Sequence, residues 1–160
     1  TAIEVPDGAA VSAGFDGSRS SDWTALRLET MDGHRFTPTY GPDNRPTTWN
    51  PALWPDGRIP RGEVDAAIDE VFRRYKVIRM YVDPRHWETQ ADAWAQRHGE
   101  DVVIQWPTNS IGRMYPALVR YREDLAGGLS AFCEVCFHDV VGPVEHLAVV
   151  CAEAGGDLRW

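Results

Sequence analysis

Two apolar runs in this chain, AVSAGFD and VIRMYVD, each stop at an aspartate, Asp16 and Asp83. Both are rich in residues that fit a pleated, half-buried surface, so each predicts a strand ending in a carboxylate. As parallel neighbours in one sheet they would carry those carboxylates to the same edge, which is where open α/β sheets hold their ligands. Two carboxylates meeting there suit a hard divalent cation such as Mg²⁺, which takes oxygen ligands and keeps several waters.

The remaining pattern supplies the connections such a pair requires. Residues 10 to 17 read as a buried strand, and a turn through Gly17 to Ser21 leads to an alternating strand at 23 to 30. Asp32-Gly33 is a hairpin signal, with a third strand following at 35 to 40. Residues 41 to 60 carry Pro42, Pro46, Pro51, Pro55 and Pro60 together with Trp49 and Trp54. That proline density predicts a long surface excursion without helix or central strand, with the two tryptophans pinning it to the sheet.

Val64, Ala67, Ile68, Val71, Phe72 and Tyr75 fall on one face of a helix over 62 to 75, with acids in its first turn and bases in its last. The strand ending at Asp83 follows at once. A second helix over 87 to 98 closes at Gly99, with Trp87 and Trp94 as packing residues, and a fifth strand spans 102 to 106. A third helix from Ser110 to about 126 would turn Ile111, Met114, Tyr115, Leu118, Val119 and Leu125 inward. The order β-β-β-α-β-α-β-α predicts an α/β fold: three antiparallel strands, then parallel β-α crossovers, in a mixed five-stranded sheet flanked by helices. Right-handed crossovers place the fourth strand beside the first. That is the ribonuclease H-like plan, and it brings Asp16 next to Asp83.

A length of 160 residues fits one domain with a proper core. No apolar stretch reaches the roughly 18 residues of a membrane span, and no basic-then-apolar secretory leader opens the chain. It opens at threonine, as a segment cut from something longer would. Three cysteines predict no disulfide framework, so a cytosolic setting is expected. The net charge of −8 argues against a generic nucleic-acid binder. Half of that excess, however, lies in residues 127 to 160, which hold five acids and only Arg159 as a base. A metal would neutralise part of the rest. Fifteen of the sixteen bases are arginine, the better fork for phosphate oxygens, although GC-rich coding produces the same bias.

Three strings, taken in order, resemble a known family: GFDGSRSSDWTAL, then YVDPRHWETQADAWAQRHG, then VIQWPTN with the helix after it. Over roughly residues 10 to 126 they are similar to the C-terminal nuclease domain of tailed-phage terminase large subunits. The resemblance implies a ribonuclease H-like, metal-dependent endonuclease that cuts concatemeric viral DNA during genome packaging in the cytoplasm of a bacterial host. It implies double-stranded DNA as substrate, and the portal and the terminase small subunit as partners. Asp16 matches the family's first-strand metal ligand and Asp83 its fourth-strand ligand, for two Mg²⁺ or Mn²⁺ ions about 4 Å apart.

The chain departs from that pattern twice. It lacks the GxxxxGK[ST] phosphate loop of the family's ATPase motor. It also lacks the lysine-x-aspartate-alanine stretch that brings a third acid on a late helix. Residues 1 to 126 therefore read as an incomplete nuclease domain, and 127 to 160 as a divergent, poorly ordered tail of the kind a frameshifted or rearranged remnant carries. Such a remnant, inactive or reduced to binding DNA or portal, is the alternative. Candidates for the missing acid are Glu88, Glu123, Asp124, Asp139 and Glu145, while Asp22 reads as a turn residue.

Either main aspartate alone is better explained as a turn former, Asp83-Pro84 especially; it is the pair, with the topology and the resemblance, that points to a metal site. Arg19, Arg85 and Arg113 are candidate phosphate contacts, against the plain reading of solvated surface arginines. In the tail, Cys133, Cys136, His138, His146 and Cys151 contain enough nitrogen and sulfur for tetrahedral zinc. Their spacing follows no established zinc pattern, and idle or buried cysteines are the simpler reading.

Overall fold

The computed structural model describes residues 4 to 119 apart from 21, 113, 117 and 118. Strand β1 (Ala10–Asp16) lies at the centre of a mixed sheet. It pairs antiparallel with β2 (Thr24–Thr30), which in turn pairs antiparallel with the short β3 (Arg35–Phe36). The hairpin predicted at Asp32-Gly33 forms, with Gly33 at φ +89° and its N–H donating to the Thr30 carbonyl at 3.0 Å.

The single strand expected over 35 to 40 breaks at Thr37-Pro38, and residues 41 to 54 hold more structure than their prolines allow a sequence reading to expect. Strands β4 (Thr39–Tyr40) and β5 (Arg45–Pro46) form a separate two-stranded sheet. Strand β6 (Thr48–Trp49) then pairs with β2, so the main sheet gains a sixth strand beyond the five expected. A 3-10 turn at Pro51–Leu53 follows, capped by the Asn50 side chain on the Ala52 N–H at 3.0 Å. Side chains hold this excursion in place. Trp49, buried to 3% exposure, donates its indole N–H to Tyr40 Oη at 2.9 Å, and Tyr40 donates to Glu63 at 2.7 Å. Burial, reinforced by the Glu63 carboxylate, pushes the Tyr40 phenol up to about 12. Trp49 lies in β6 against β2, as the expected anchoring to the sheet requires, and through Tyr40 it also ties the loop to the first helix.

Helix α1 (Arg61–Arg74) turns Val64, Ala67, Ile68 and Val71 into the core. Strand β7 (Lys76–Val82) runs parallel to β1, and β8 (Val103–Gln105) runs parallel to β7 beyond helix α2 (Glu88–His98). Along the main path the strands lie in the order β3-β2-β1-β7-β8, so the strand that follows α1 is indeed the neighbour of the first. Between the sheet and α2, Phe15 meets the rings of Trp87 and Trp94 edge-on, each with centroids 5.1 Å away. Both tryptophans are buried packing residues, as their spacing predicted.

The two helices are joined by a charged clamp. Arg97 and His98 of α2 contact Asp69 of α1 at 2.5 and 3.0 Å. Burial alone would raise the Asp69 carboxyl, but the hydrogen bonds from Arg97 and His98 outweigh it and hold the group below its ordinary range. A depressed carboxyl contributes stability above its unfolded pKa of about 3.9 and loses it as the pH falls through the lower folded value. Acid unfolding of Asp69→Asn, followed by circular dichroism, is therefore expected to depend less steeply on pH below about 4. At neutral pH the variant should be less stable by up to about 1 kcal/mol, since the pair is partly screened by solvent.

Met114 of the third predicted helix is buried against Trp106, but Ile111 and Tyr115 are 83% and 68% exposed, against the inward orientation expected for all three. Helical spacing sets the angles between residues, not which of them meets a neighbour, and here only the Met114 side of the stripe does. Among the described residues no helix is long and apolar enough to cross a membrane.

Candidate metal centre

The register between β1 and β7 decides whether the two aspartates meet. Val11 pairs with Val77, but the next pair is Ser12 with Arg79, so Ile78 is an extra residue in β7. The alternation changes phase there: Val77 and Met80 both enter the core, and Tyr81 falls on the opposite face. The pairing then runs evenly to Phe15 with Val82, and the Asp83 N–H donates to the Phe15 carbonyl at 3.1 Å. Asp16 and Asp83 are the residues that follow this last pair on the two adjacent segments. Without the bulge Asp16 would stand level with Val82. Bulges commonly re-aim side chains beside functional sites, and nothing in the residue pattern announces this one.

The structure also realises the plainer role of Asp83. Its Oδ1 accepts the Arg85 N–H at 3.1 Å, which turns the chain toward α2. Its Oδ2 accepts from the Thr108 hydroxyl, in the loop after β8. A carboxylate oxygen has a second lone pair beyond each of these bonds, so the contacts orient the group without using up its capacity as a ligand. Asp83 is 9% exposed and Asp16 half-buried. Sequence reasoning missed Thr108, and its one signal was that WPTN follows the third strand ending at this rim.

The loops around the pair are tightly built. Trp87, 1% exposed, donates its indole N–H to the Ser18 carbonyl at 3.1 Å, and its ring lies on Gly17 so closely that a Cβ at 17 would overlap it. The residue after Asp16 is therefore seated directly on the helix that follows Asp83. Arg19 and Arg85 are both exposed, on the β1–β2 and β7–α2 turns at the same rim.

The other predicted residues divide into two groups. Glu88 is exposed and accepts the His86 N–H at 3.2 Å. Hydrogen bonds from its own backbone and from that of His86 lower its carboxyl, as befits the start of a helix. Asp22 accepts the N–H of Trp23 at 2.8 Å, as a turn residue does. Arg113, Glu123, Asp124, Asp139, Glu145 and the cysteine–histidine set of Cys133, Cys136, His138, His146 and Cys151 lie outside the described residues. Among the described residues no group of three or more His, Cys, Asp or Glu side chains forms a metal cage. Asp16 and Asp83 are oxygen donors of the kind a hard divalent cation takes, with water completing its shell.

Over 104 residues, 64% of its length, the chain is 32% identical to the "Gene 13 protein" of Mycobacterium phage D29. Over 101 residues it is 30% identical to the "Gene 13 protein" of Mycobacterium phage L5. The matched region makes up 16% of each phage protein. No family model and no solved structure matches the chain. It is similar to a small part of two much longer phage proteins.

Proposed function

We propose that this chain is a ribonuclease H-like endonuclease domain of the terminase type, acting on duplex DNA with Mg²⁺ or Mn²⁺ held by Asp16 and Asp83. The observation that carries the reading is the parallel register of β1 and β7, which ends at Phe15 with Val82 and leaves Asp16 and Asp83 as the next residues of adjacent strands. The strand order β3-β2-β1-β7-β8 supports it, and the similarity to mycobacteriophage proteins supports a phage association. A cation bound there would supply Lewis acidity toward a phosphodiester oxygen and lower the pKa of a bound water. The chain's own part is to hold both carboxylates at one point, with Thr108 and the Arg85 N–H fixing Asp83. Arg19 and Arg85 would meet the flanking phosphates.

A second reading has its own support. Two metal ions generally need more than two acids, and the described residues add no third carboxylate to the pair. On that reading the fold binds DNA without cutting it. Plasmid nicking separates the two. The endonuclease reading expects conversion of supercoiled to relaxed DNA in Mn²⁺ and none in chelator. Saturable binding of DNA with no Mn²⁺-dependent nicking at high enzyme concentration would leave the binding module standing.

A further inference from the structure

Between Asp83 and α2 the backbone is tied by hydrogen bonds while the Arg85 and His86 side chains face solvent. The Arg85 N–H donates to Asp83, the Trp87 N–H to the Pro84 carbonyl at 2.8 Å, and the His86 N–H to Glu88. His86 itself sits at φ +68°, in the left-handed region that side chains with a Cβ seldom adopt. Such a conformation persists where its surroundings over-determine it, and it recurs at ligand-binding turns.

The clamp from outside the turn is Arg61, the first residue of α1. Its guanidinium donates to the His86 carbonyl at 2.6 Å and to Gln90 Oε1 at 2.9 Å, and it lies 3.9 Å over the Trp87 ring. Trp87 in turn seats on Gly17 and Ser18 of the opposite loop. One planar cation therefore ties the strained turn to α1 and, through Trp87, to the loop after Asp16. Lysine, a point charge, would not make the fork and the stack together.

We propose that Arg61 is a positioning residue: it fixes the Arg85–His86 turn so that the exposed Arg85 guanidinium meets a backbone phosphate of duplex DNA. This rests on the endonuclease reading and deepens it, by assigning the phosphate contact to a preorganised turn rather than to a mobile surface arginine. Arg61 works through Arg85, so the two should not act independently.

The test is a double-substitution cycle on the full chain. A labelled duplex of about twenty base pairs would be titrated without divalent metal at 50 to 200 mM salt, reading anisotropy. Arg85→Gln should weaken binding about three- to tenfold and flatten the slope of log K against log salt by about 0.9, one phosphate contact. Arg61→Gln should do nearly the same, and the double variant should bind no more weakly than Arg85→Gln alone. Arg61→Lys, which keeps the charge, should resemble Arg61→Gln, and it carries the cycle if Arg61→Gln does not fold by circular dichroism. Multiplicative losses, an unchanged slope in Arg61→Gln, or full recovery by lysine would overturn the proposal. Wild-type chain that binds no duplex at all would remove the endonuclease reading itself. Wild-type binding matched by Arg61→Gln would remove only the role of Arg61.

Discussion

Trp87→Ala is expected to lower the unfolding free energy by about 3–5 kcal/mol, the usual cost of deleting a large buried aromatic. The ring is nearly inaccessible, packs edge-on against Phe15 and stacks near Trp94, so its removal leaves a cavity under β1 that these neighbours cannot refill without moving. The same change releases the Ser18 carbonyl and the seat of Gly17, which loosens the loop that follows Asp16. Denaturant unfolding should report the stability loss, and metal affinity measured well below the unfolding midpoint should fall as well. Gly17→Ala approaches the same contact from the other side. Its methyl must displace the indole, at about 1–3 kcal/mol for an overpacked site. A tryptophan that served the core alone would give the stability loss without the loss of affinity.

The second large effect belongs to the carboxylates. Asp16→Asn and Asp83→Asn are each expected to abolish saturable Mn²⁺ uptake and to reduce nicking by at least about 100-fold, because an amide oxygen is a neutral and poorer ligand for a hard cation. Metal-free stability should change little and in the opposite sense. Two carboxylates that grip one cation repel each other when it is absent, and one asparagine removes that repulsion. In Asp83→Asn the side-chain carbonyl oxygen can still accept the Arg85 N–H, and the amide can donate to the Thr108 hydroxyl. A site kept for chemistry commonly shows this opposition between binding and stability. Calorimetric titration with Mn²⁺ and thermal unfolding of the same samples measure the two signs together. An aspartate serving only as a turn former would lose stability and leave Mn²⁺ uptake as it was.

The central elements were legible because their signals are local. The apolar runs ending at Asp16 and Asp83, the periodicity of α1 and the Trp87/Trp94 pair each state their own burial, and connection rules then place β7 beside β1. What the residues did not disclose is tertiary. The bulge at Ile78 sets Asp83 level with Asp16, yet Ile78 looks like any strand isoleucine. Prolines hid β5 and β6, because the order of this segment comes from Trp49, Tyr40 and Glu63 rather than from strand propensity. Arg61 lies more than twenty residues before the turn it clamps, and neither sequence spacing nor charge pattern links them. Ile111, Met114 and Tyr115 were read as one inward stripe and only Met114 is buried, since periodicity carries no information about the neighbour.

The most direct measurement is a crystal of the chain soaked in Mn²⁺, with diffraction data collected to reveal anomalous scattering. A peak bonded to one carboxylate oxygen of Asp16 and one of Asp83, each at about 2.0–2.3 Å, is the result this structure predicts. A peak held by neither residue, or by one of them with the other turned away, would contradict the shared grip on which the proposed chemistry depends.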